Sequence, residues 1–272
     1  MKKISGMLCL GAAAAAAAPF LLLAPGHASY RQKAPFLGRN IAHRGLHSRD
    51  RSVPENSLAA FRLAAEMGYG IELDVQLSKD GYVVVFHDDT LERVCGVPER
   101  VSELSFAELR RRRLCGSDEP IPLFTDVLDL VAGRVPIICE LKTGKRNREL
   151  CRKTYNYISH YTGDICVESF DPTIVAWFRF HARELLRGQL AAPAEDYREQ
   201  SPLTAFLLSR TLLNVLSRPQ FIAYKLGRRP LSVRLAEAMG AMRVAWTSRE
   251  VRNEKRKDTV IFEFYKPRIR FK

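Results

Sequence analysis

The pentapeptide Ile71-Glu72-Leu73-Asp74-Val75 alternates apolar and acidic residues. On a β-strand, successive side chains point to opposite faces, so the two acids share one face and the three apolar side chains share the other. An apolar face of this kind is typical of a strand in a core, where an unpaired charge is costly. Two adjacent carboxylates repel each other unless a cation lies between them. The pentapeptide therefore predicts a core strand whose acidic face holds a divalent cation.

Strand-like and helix-like stretches alternate along the chain after about residue 40. Nine stretches have the composition of strands, namely 40–43, 70–75, 82–87, 135–140, 164–168, 185–189, 220–224, 242–246 and 259–264. Amphipathic stretches typical of helices lie between most of them, including 56–67, 123–131, 172–181 and 231–239. This alternation favours an α/β fold with a parallel sheet and right-handed crossovers. At 272 residues, a (β/α)8 barrel of the TIM type is the natural candidate.

A (β/α)8 barrel has eight strands, so one of the nine candidate strands must lie outside it. Residues 78–81, between the second and third candidates, have turn composition and are too few for a crossover helix. These two strands therefore form either a hairpin or a step without a helix. A small insertion after the third strand motif spans 89–121, with a short helix predicted at 105–114, and a second insertion spans 191–217. Either insertion could rim a site.

Further polar residues fall where apolar stretches end. His43 and Arg44 follow the first stretch, His87 the third, and Glu140 and Lys142 the fourth. In a βα-barrel the C-terminal strand ends meet at one face, which is where active sites lie. Carboxylates hold a hard cation, Arg and Lys bind a phosphate, and histidines transfer protons near neutral pH. The pattern therefore indicates hydrolysis of a phosphate ester.

The order of these residues resembles that of the glycerophosphodiester phosphodiesterase family. The family's pattern of H-R-G, P-E-N-T, E-x-D, H-D and E-x-K is matched by His43-Arg44-Gly45, Pro54-Glu55-Asn56-Ser57, Glu72-Leu73-Asp74, His87-Asp88 and Glu140-Leu141-Lys142. The resemblance extends from about residue 40 to about residue 265. It implies the same barrel and a metal-dependent hydrolysis of small glycerophosphodiesters to sn-glycerol 3-phosphate and an alcohol.

The resemblance also implies a role for each matching side chain. The expected roles are catalysis for His43 and His87, substrate binding for Arg44, Glu55, Lys142 and Trp246, and binding of one divalent metal, Ca²⁺ or Mg²⁺, for Glu72, Asp74 and Glu140. In the family, the glycerol's adjacent hydroxyl attacks first, and water then opens the cyclic phosphate while the histidines exchange roles. Which histidine acts first stays open. Glu55 either binds the metal or the glycerol hydroxyls, and Trp246 is either a core residue or a substrate contact.

Two positions depart from the family pattern. The family's last strand usually ends in a Thr-Asp pair before a proline, whereas this chain reads Ile261-Phe262-Glu263-Phe264-Tyr265-Lys266-Pro267. Trp246-Thr247 is followed by Ser248-Arg249 in place of a small residue and an asparagine. Both departures fall at the substrate end of late strands, so they bear on the alcohol that is released. Asn56 is expected to cap the helix that follows it.

Other residues receive structural interpretations. The run at 110–113 of four arginines is expected to form an exposed helix face. Cys139 and Cys166 lie in predicted strands and are expected in the core. A disulfide between Cys95 and Cys115 stays open, because the spacing gives no geometry.

The N-terminus is expected to be a targeting segment. Lys2 and Lys3 precede an apolar run over 7–25, and Gly26-His27-Ala28 has the small residues of a cleavage site. The run approaches the ~20 residues that span a bilayer, so the segment is either a signal peptide or a membrane anchor. The domain would be membrane-anchored facing outside the cytoplasm, or secreted. The expected boundaries are 1–28 for this segment, 29–39 for a linker and 40–272 for the barrel domain.

The net charge of +13 is carried by the two ends of the chain. Residues 1–40 carry +5 and residues 228–272 carry +8, which leaves 41–227 nearly neutral. The basic ends are either ordinary solvated surface or attract anionic lipid or an anionic polymer. No nucleic-acid partner is predicted, because no corresponding motif occurs. The alternatives to the expected activity are a lysophospholipase D-like enzyme acting on membrane lysolipids and a non-catalytic, envelope-binding barrel.

Overall fold

Eight parallel β-strands close into a barrel in the computed structural model, which describes residues 20–271. The nine strands are β1 (Arg39–Ala42), β2 (Gly70–Leu77), β3 (Val83–Val85), β4 (Ile137–Leu141), β5 (Ile165–Ser169), β6 (Arg187–Ala191), β7 (Phe221–Lys225), β8 (Met242–Ser248) and β9 (Thr259–Phe262). All but β3 pair in parallel, in the order β1-β9-β8-β7-β6-β5-β4-β2. The barrel closes where β2 pairs with β1, with Ile41 opposite Gly70. The predicted fold class is confirmed.

The extra strand, β3, forms a hairpin outside the barrel. It runs antiparallel to the second half of β2, with Val75 opposite Val85 and Leu77 opposite Val83. Gly81 adopts a left-handed conformation in the turn, with φ 84°. A glycine adopts this conformation at low cost, so it suits a tight turn. The four residues 78–81 are too few for a crossover helix. Of the two arrangements left open, the hairpin is the one that forms.

Helices cover the outside of the barrel. They are α1 (Tyr30–Lys33), α2 (Leu58–Glu66), α3 (Glu92–Cys95), α4 (Phe106–Leu109), α5 (Phe124–Val131), α6 (Asn147–Ser159), α7 (Pro172–His181), α8 (Pro202–Ser209), α9 (Asn214–Ser217) and α10 (Leu231–Ala238), with 3-10 turns at Val101–Glu103, Leu114–Gly116, Ala194–Asp196 and Val251–Glu254. The four predicted helical stretches correspond to α2, α5, α7 and α10. No helix was predicted at α6, the longest of the helices within residues 20–271.

The strands bury both of their faces. On β2, Ile71 and Leu73 pack outward against Phe61 of α2 and Phe124 of α5. The barrel interior holds a second apolar cluster that includes Ile41, Ile138, Cys166, Phe221 and Val244. Glu72 and Asp74 point inward, since they alternate with the outward-facing apolar residues. The barrel wall therefore carries the acids of β2 into its interior, as the alternation predicted.

The first insertion is less helical than predicted. Ser105 caps α4 through a capping box with Glu108, but the helix ends at Leu109. Residues 110–113 form a turn and then an isolated bridge between Arg113 and Pro120, so the predicted helix is shorter than expected and the arginines lie beyond its end. Their predicted exposure is correct for all but Arg112, which is half-buried. The local pairing of Arg113 replaces the helical hydrogen bonds beyond that point.

The cysteines of the described region are free thiols. Cys139 and Cys166 are buried in strands β4 and β5, as expected of core residues. Cys95 and Cys115 lie on contacting elements of the first insertion, yet no disulfide joins them.

The segment before β1 runs across the N-terminal end of the barrel. The Gly26 N–H donates to the Pro219 carbonyl at 3.1 Å, and the Gln220 amide donates to the His27 carbonyl at 2.7 Å. Phe36 is buried in the interior cluster. Within 20–271, the helices are too short or too polar to cross a bilayer. Lys2, Lys3 and most of the predicted apolar run lie outside the described residues.

Candidate active site

Three carboxylates lie together at the C-terminal ends of β2 and β4. Asp74 and Glu140 are register partners on these neighbouring strands, and Glu72 precedes Asp74 on the same face. All three residues are buried, and oxygen atoms from each lie within 4.8 Å of one another. The structure thus brings together the three acids that the sequence suggested as metal ligands.

The electrostatics of this cluster favour a bound cation. Burial raises the pKa of Glu72 well above its usual value, and the charges of Asp74 and Glu140 raise it further. Burial also raises the pKa of Glu140, although Lys142 opposes this. Burial would raise the pKa of Asp74 too, but the nearby charges of His87, Lys142 and Arg44 outweigh it and lower that pKa. Burial thus disfavours the charged form of each carboxylate, and a bound cation would offset this cost.

The donor atoms of the cluster suit a hard metal ion. One oxygen of Asp74, Oδ1, is buried and accepts no hydrogen bond from any described residue. The Lys142 ammonium lies 3.5 Å from this oxygen, beyond normal hydrogen-bond distance. Carboxylate oxygens are the ligands that hard divalent cations prefer. The three residues therefore fit a metal ion, and the cluster could hold one.

Two basic side chains flank the carboxylates. The backbone N–H of Arg44 donates to Glu72 Oε2 at 2.9 Å, and its guanidinium donates to Glu55 at 2.7 Å. Lys142 Nζ donates to Glu140 Oε1 at 2.8 Å. Both cations are held in place by acids, so they are available at a fixed position beside the cluster.

Glu55 lies behind Arg44, away from the cavity. Its carboxylate accepts hydrogen bonds from Arg44 and also from Arg93 at 2.6 Å. Burial would raise the pKa of Glu55, but these two arginines outweigh it and lower the pKa to about 2. In this arrangement Glu55 orients the Arg44 guanidinium. A direct contact between Glu55 and substrate stays a prediction.

Asn56 does not cap the helix that follows it. Ser57 is the N-cap of α2, and its hydroxyl accepts from the Ala60 N–H at 3.1 Å. Asn56 has a left-handed backbone, with φ 54°, and its amide donates to Asp74 Oδ2 at 2.9 Å. The prediction was wrong because this backbone turn directs the Asn56 side chain toward the acidic cluster.

The two candidate catalytic histidines face the same cavity. The His43 Nδ1–H donates to Glu263 Oε2 at 2.9 Å, and the His87 Nδ1–H donates to Asp88 Oδ1 at 2.5 Å. In each residue a carboxylate holds Nδ1, which leaves Nε2 for proton transfer. Burial lowers the pKa of His43, although the Glu263 carboxylate opposes this. Burial therefore favours the neutral form of His43.

Two acids near the site were not identified as functional from the sequence. Glu263 follows β9. Its carboxylate accepts a hydrogen bond from His43 and forms an ion pair with the Arg249 guanidinium, which lies 2.7 Å from Oε1. Glu168 lies within β5, an otherwise apolar strand. The available signal was the same in both cases, since each is a charge inside or directly after an apolar stretch. His47, in contrast, hydrogen-bonds the His43 carbonyl at 3.0 Å and does not line the cavity.

A cavity of about 660 Å³ opens at this end of the barrel. Its polar end is lined by His43, Arg44, Glu72, His87, Glu140 and Glu168, and its apolar wall by Phe170, Leu190, Ala192, Leu208, Leu213, Trp246 and Ile261. Trp246 packs against the interior cluster and lines the cavity, and its indole N–H donates to the Ala223 carbonyl at 3.1 Å. Its contact with substrate stays a prediction. The second insertion forms part of the wall, whereas 89–121 contributes no lining residue among those described.

Known proteins of one family match this chain. The model of the glycerophosphoryl diester phosphodiesterase family matches residues 43–262. A glycerophosphodiester phosphodiesterase of Caldanaerobacter subterraneus subsp. tengcongensis is 38% identical over 114 residues, which cover 38% of this chain and 45% of that protein. The human protein named Lysophospholipase D GDPD1 is 34% identical over 156 residues, which cover 52% of this chain and 48% of that protein. The chain thus spans about half the length of these curated relatives.

Solved structures show the same fold. A phosphodiesterase of Oleispira antarctica, in complex with the product sn-glycerol-3-phosphate, superposes with a TM-score of 0.67 at 22% identity, covering 84% of this chain and 93% of that one. A glycerophosphodiester phosphodiesterase of Thermotoga maritima gives a TM-score of 0.61 at 25% identity, covering 82% and 93%. The family match over 43–262 includes the motifs from His43 to Lys142 and most of the barrel. The chain therefore belongs to the glycerophosphoryl diester phosphodiesterase family.

Proposed function

We propose that this chain hydrolyses glycerophosphodiesters to sn-glycerol 3-phosphate and an alcohol. The observation that carries the proposal is the grouping of two histidines and two basic side chains around three buried carboxylates, next to one cavity. Such a set serves the three needs of phosphodiester hydrolysis, which are charge neutralisation, phosphate binding and proton transfer. Family membership supports the same substrate class.

Glu72, Asp74 and Glu140 would hold the metal, and we propose Ca²⁺ or Mg²⁺. Such a cation, when bound, neutralises phosphate charge and lowers the pKa of a coordinated hydroxyl. Arg44 and Lys142 would bind the non-bridging phosphate oxygens, where charge increases in the transition state. Glu55 and Glu140 keep these two side chains in position before substrate arrives.

The histidines would move the protons. One histidine takes the proton of the glycerol hydroxyl adjacent to the ester, whose oxygen then attacks phosphorus while the bond to the alcohol breaks. The other histidine gives its proton to the leaving alkoxide. Water then opens the cyclic phosphate, and the two residues exchange roles.

The proposal is tested by assaying the purified chain on glycerophosphocholine and glycerophosphoethanolamine, with and without EDTA. We expect turnover that EDTA abolishes and that added Ca²⁺ or Mg²⁺ restores. Equal rates with and without the chelator would remove the metal from the proposal. If the folded protein turned over no phosphodiester at all, the non-catalytic, envelope-binding barrel would be the better interpretation.

A lysophospholipase D-like activity is the second candidate. It is favoured by the apolar wall of the cavity, to which Leu208 and Leu213 of the second insertion contribute. A lysolipid could place apolar chain atoms along this wall. The test compares glycerophosphocholine, a lysolipid and a glycerophosphate polymer as substrates. Lysolipid turnover far above that of glycerophosphocholine would make this second candidate the better one.

We further propose that the N-terminus anchors the domain to a membrane, with the barrel outside the cytoplasm. Phe20, Leu21 and Leu22 are exposed at the start of the described residues. Arg218 donates to the Ala24 carbonyl at 2.8 Å, and Arg179 lies close enough to Arg218 to feel its charge. Arg179 donates to the Val215 and Leu216 carbonyls. Neither arginine pairs with a described carboxylate, so their charges could attract anionic lipid, at about 1 kcal/mol per basic residue.

The hydrogen bonds of Gly26 and His27 to the barrel support retention of the segment, because cleavage after Ala28 would remove them. The segment lies across the opposite end of the barrel from the cavity, so an anchored enzyme would present its site to solvent. This arrangement favours a soluble substrate. Fractionation and N-terminal sequencing test the anchor. A soluble product that begins at Ser29 would reject it, and a membrane-bound chain inaccessible to external protease in permeable cells would reject the outward topology.

A further inference from the structure

Glu168 is a fourth carboxylate in the barrel that the mechanism above does not use. It lies on β5 as the register partner of Glu140 and is 2% exposed. Its Oε2 atom accepts no hydrogen bond from residues 20–271. In the same part of the chain, no basic side chain lies within ion-pair distance of it. Buried polar groups in proteins are nearly always paired, so an acid in this state calls for a partner that binds there.

The surroundings of Glu168 leave room for such a partner. On β6 its register partner is Gly188, and the Phe221 ring fills the place that a side chain would take there, 2.0 Å from an ideal Cβ position. The free space therefore lies on the cavity side, where Glu168 is a lining residue together with Glu140 and Phe170.

The chemistry of this position excludes most partners. Burial and the charges of Glu140 and Asp74 raise the pKa of Glu168 well above its usual value. In either protonation state the carboxyl group offers an acceptor oxygen, and an apolar alcohol would leave that oxygen without a hydrogen bond. Glu168 also lies outside the group of acids, Glu72, Asp74 and Glu140, whose oxygens lie within 4.8 Å of one another. A hydroxyl group carried by the substrate satisfies such an acceptor.

We propose that Glu168 accepts a hydrogen bond from the terminal hydroxyl of the glyceryl group, and so selects glyceryl esters over esters of smaller diols. The proposal rests on the proposed function, since it assigns the residue to one end of that substrate. The adjacent hydroxyl, which attacks phosphorus, is left to the histidines. Glu168 is thus a specificity-determining residue.

The test compares glycerophosphocholine with 2-hydroxypropyl phosphocholine, which keeps the attacking hydroxyl and lacks the terminal one. The wild type should prefer the glyceryl ester in kcat/KM by about 5- to 100-fold, because the shorter ester leaves a buried acceptor without a partner. Glu168→Met should abolish this preference by slowing only the glyceryl ester. Glu168→Gln, which keeps an acceptor oxygen, should restore part of it. Glu195→Gln, an exposed acid of the second insertion, should leave the preference unchanged.

The outcomes separate this proposal from the proposed function. A wild type that turns over neither ester overturns the proposed function, whereas a wild type that turns over both equally overturns only the role of Glu168. This second result needs no variant and does not depend on variant folding. Calorimetric titration with Ca²⁺ supplies an independent readout, with similar affinities expected for wild type and Glu168→Gln. A loss of about tenfold or more in Ca²⁺ affinity, with the ester preference intact, would make Glu168 a cation ligand instead.

Discussion

His43 and Glu263 join the first and the last strand of the barrel at 2.9 Å, between Nδ1 and Oε2. The bond sets the tautomer, because a ring that donates from Nδ1 has its lone pair on Nε2. That second nitrogen lies 3.9 Å from Glu72 Oε2, so it faces the acidic cluster. Closure of the barrel between β1 and β9 therefore prepares His43 to accept a proton.

Replacement of Glu263 by Gln should lower kcat with a smaller effect on KM. The amide cannot fix the tautomer as a carboxylate does, and the expected loss is about 10- to 10³-fold, within the range for impaired general acid–base catalysis. Steady-state kinetics on glycerophosphocholine measures it. Glu250→Gln, a change in an exposed acid of the same region, is the control and should be close to wild type. An unaltered kcat for Glu263→Gln would show that His43 does not depend on this carboxylate.

The same carboxylate should make stability depend on pH in the acid range. Burial would raise the pKa of Glu263, but the hydrogen bond from His43 and the ion pair with Arg249 outweigh it and lower the pKa from 4.5 to about 2. The charged form thus stabilises the folded protein. This contribution is fully present above pH 4.5 and is lost as the pH falls through about 2.

Urea unfolding of the wild type and Glu263→Gln between pH 7 and pH 3 tests this dependence. At pH 7 the wild type should have the higher free energy of unfolding, by about 2–3 kcal/mol. The difference should be constant down to about pH 4.5 and then shrink. A difference that grew on acidification would reverse the sign of the proposed linkage.

Much of the fold could be predicted because the strands bury both faces. The alternation in β2 correctly placed Glu72 and Asp74 on the inner face. The spacing of two residues between Glu140 and Lys142 likewise placed these two side chains on one face, where they form a hydrogen bond. All nine candidate strands exist, with ends that differ by at most two residues. These features are local, since each depends on a few residues and a period of two.

The parts that failed depend on contacts distant in sequence or on single backbone conformations. Glu263 was noted only as a departure from a family pattern, because nothing local shows that barrel closure brings it to His43. Asn56 was taken for a helix cap, because its left-handed backbone cannot be read from composition. The end of α4 at Leu109 depends on the bridge between Arg113 and Pro120, which is also invisible to a helical pattern.

The two histidines should be needed for turnover and dispensable for metal binding. We expect His43→Ala and His87→Ala each to lower kcat by about 10²- to 10⁴-fold, the range for lost general acid–base catalysis. Ca²⁺ affinity, measured by calorimetry, should change little, because neither ring belongs to the carboxylate group. His160→Ala, a change in an exposed histidine, is the matched control. Near wild-type turnover by His87→Ala would contradict the two-histidine scheme.

The three carboxylates should oppose folding when no cation is present. Burial and mutual repulsion raise the pKa of Glu72, so neutralising it removes an unfavourable charge. Glu72→Gln should therefore raise the free energy of unfolding in EDTA, by about 1–3 kcal/mol. In the wild type, Ca²⁺ at 100 times its dissociation constant should add about 2.7 kcal/mol, and in the variant much less.

Chemical unfolding with EDTA and with Ca²⁺ measures both effects, and Asp74→Asn and Glu140→Gln extend the series on Ca²⁺ binding. Glu66→Gln, an exposed acid on α2, is the control and should respond to Ca²⁺ as the wild type does. A Glu72→Gln protein that was less stable in EDTA and fully stabilised by Ca²⁺ would mean that this carboxylate is structural. The opposite pattern, higher stability in EDTA with loss of the Ca²⁺ response, is what a cation site built from mutually repelling acids requires.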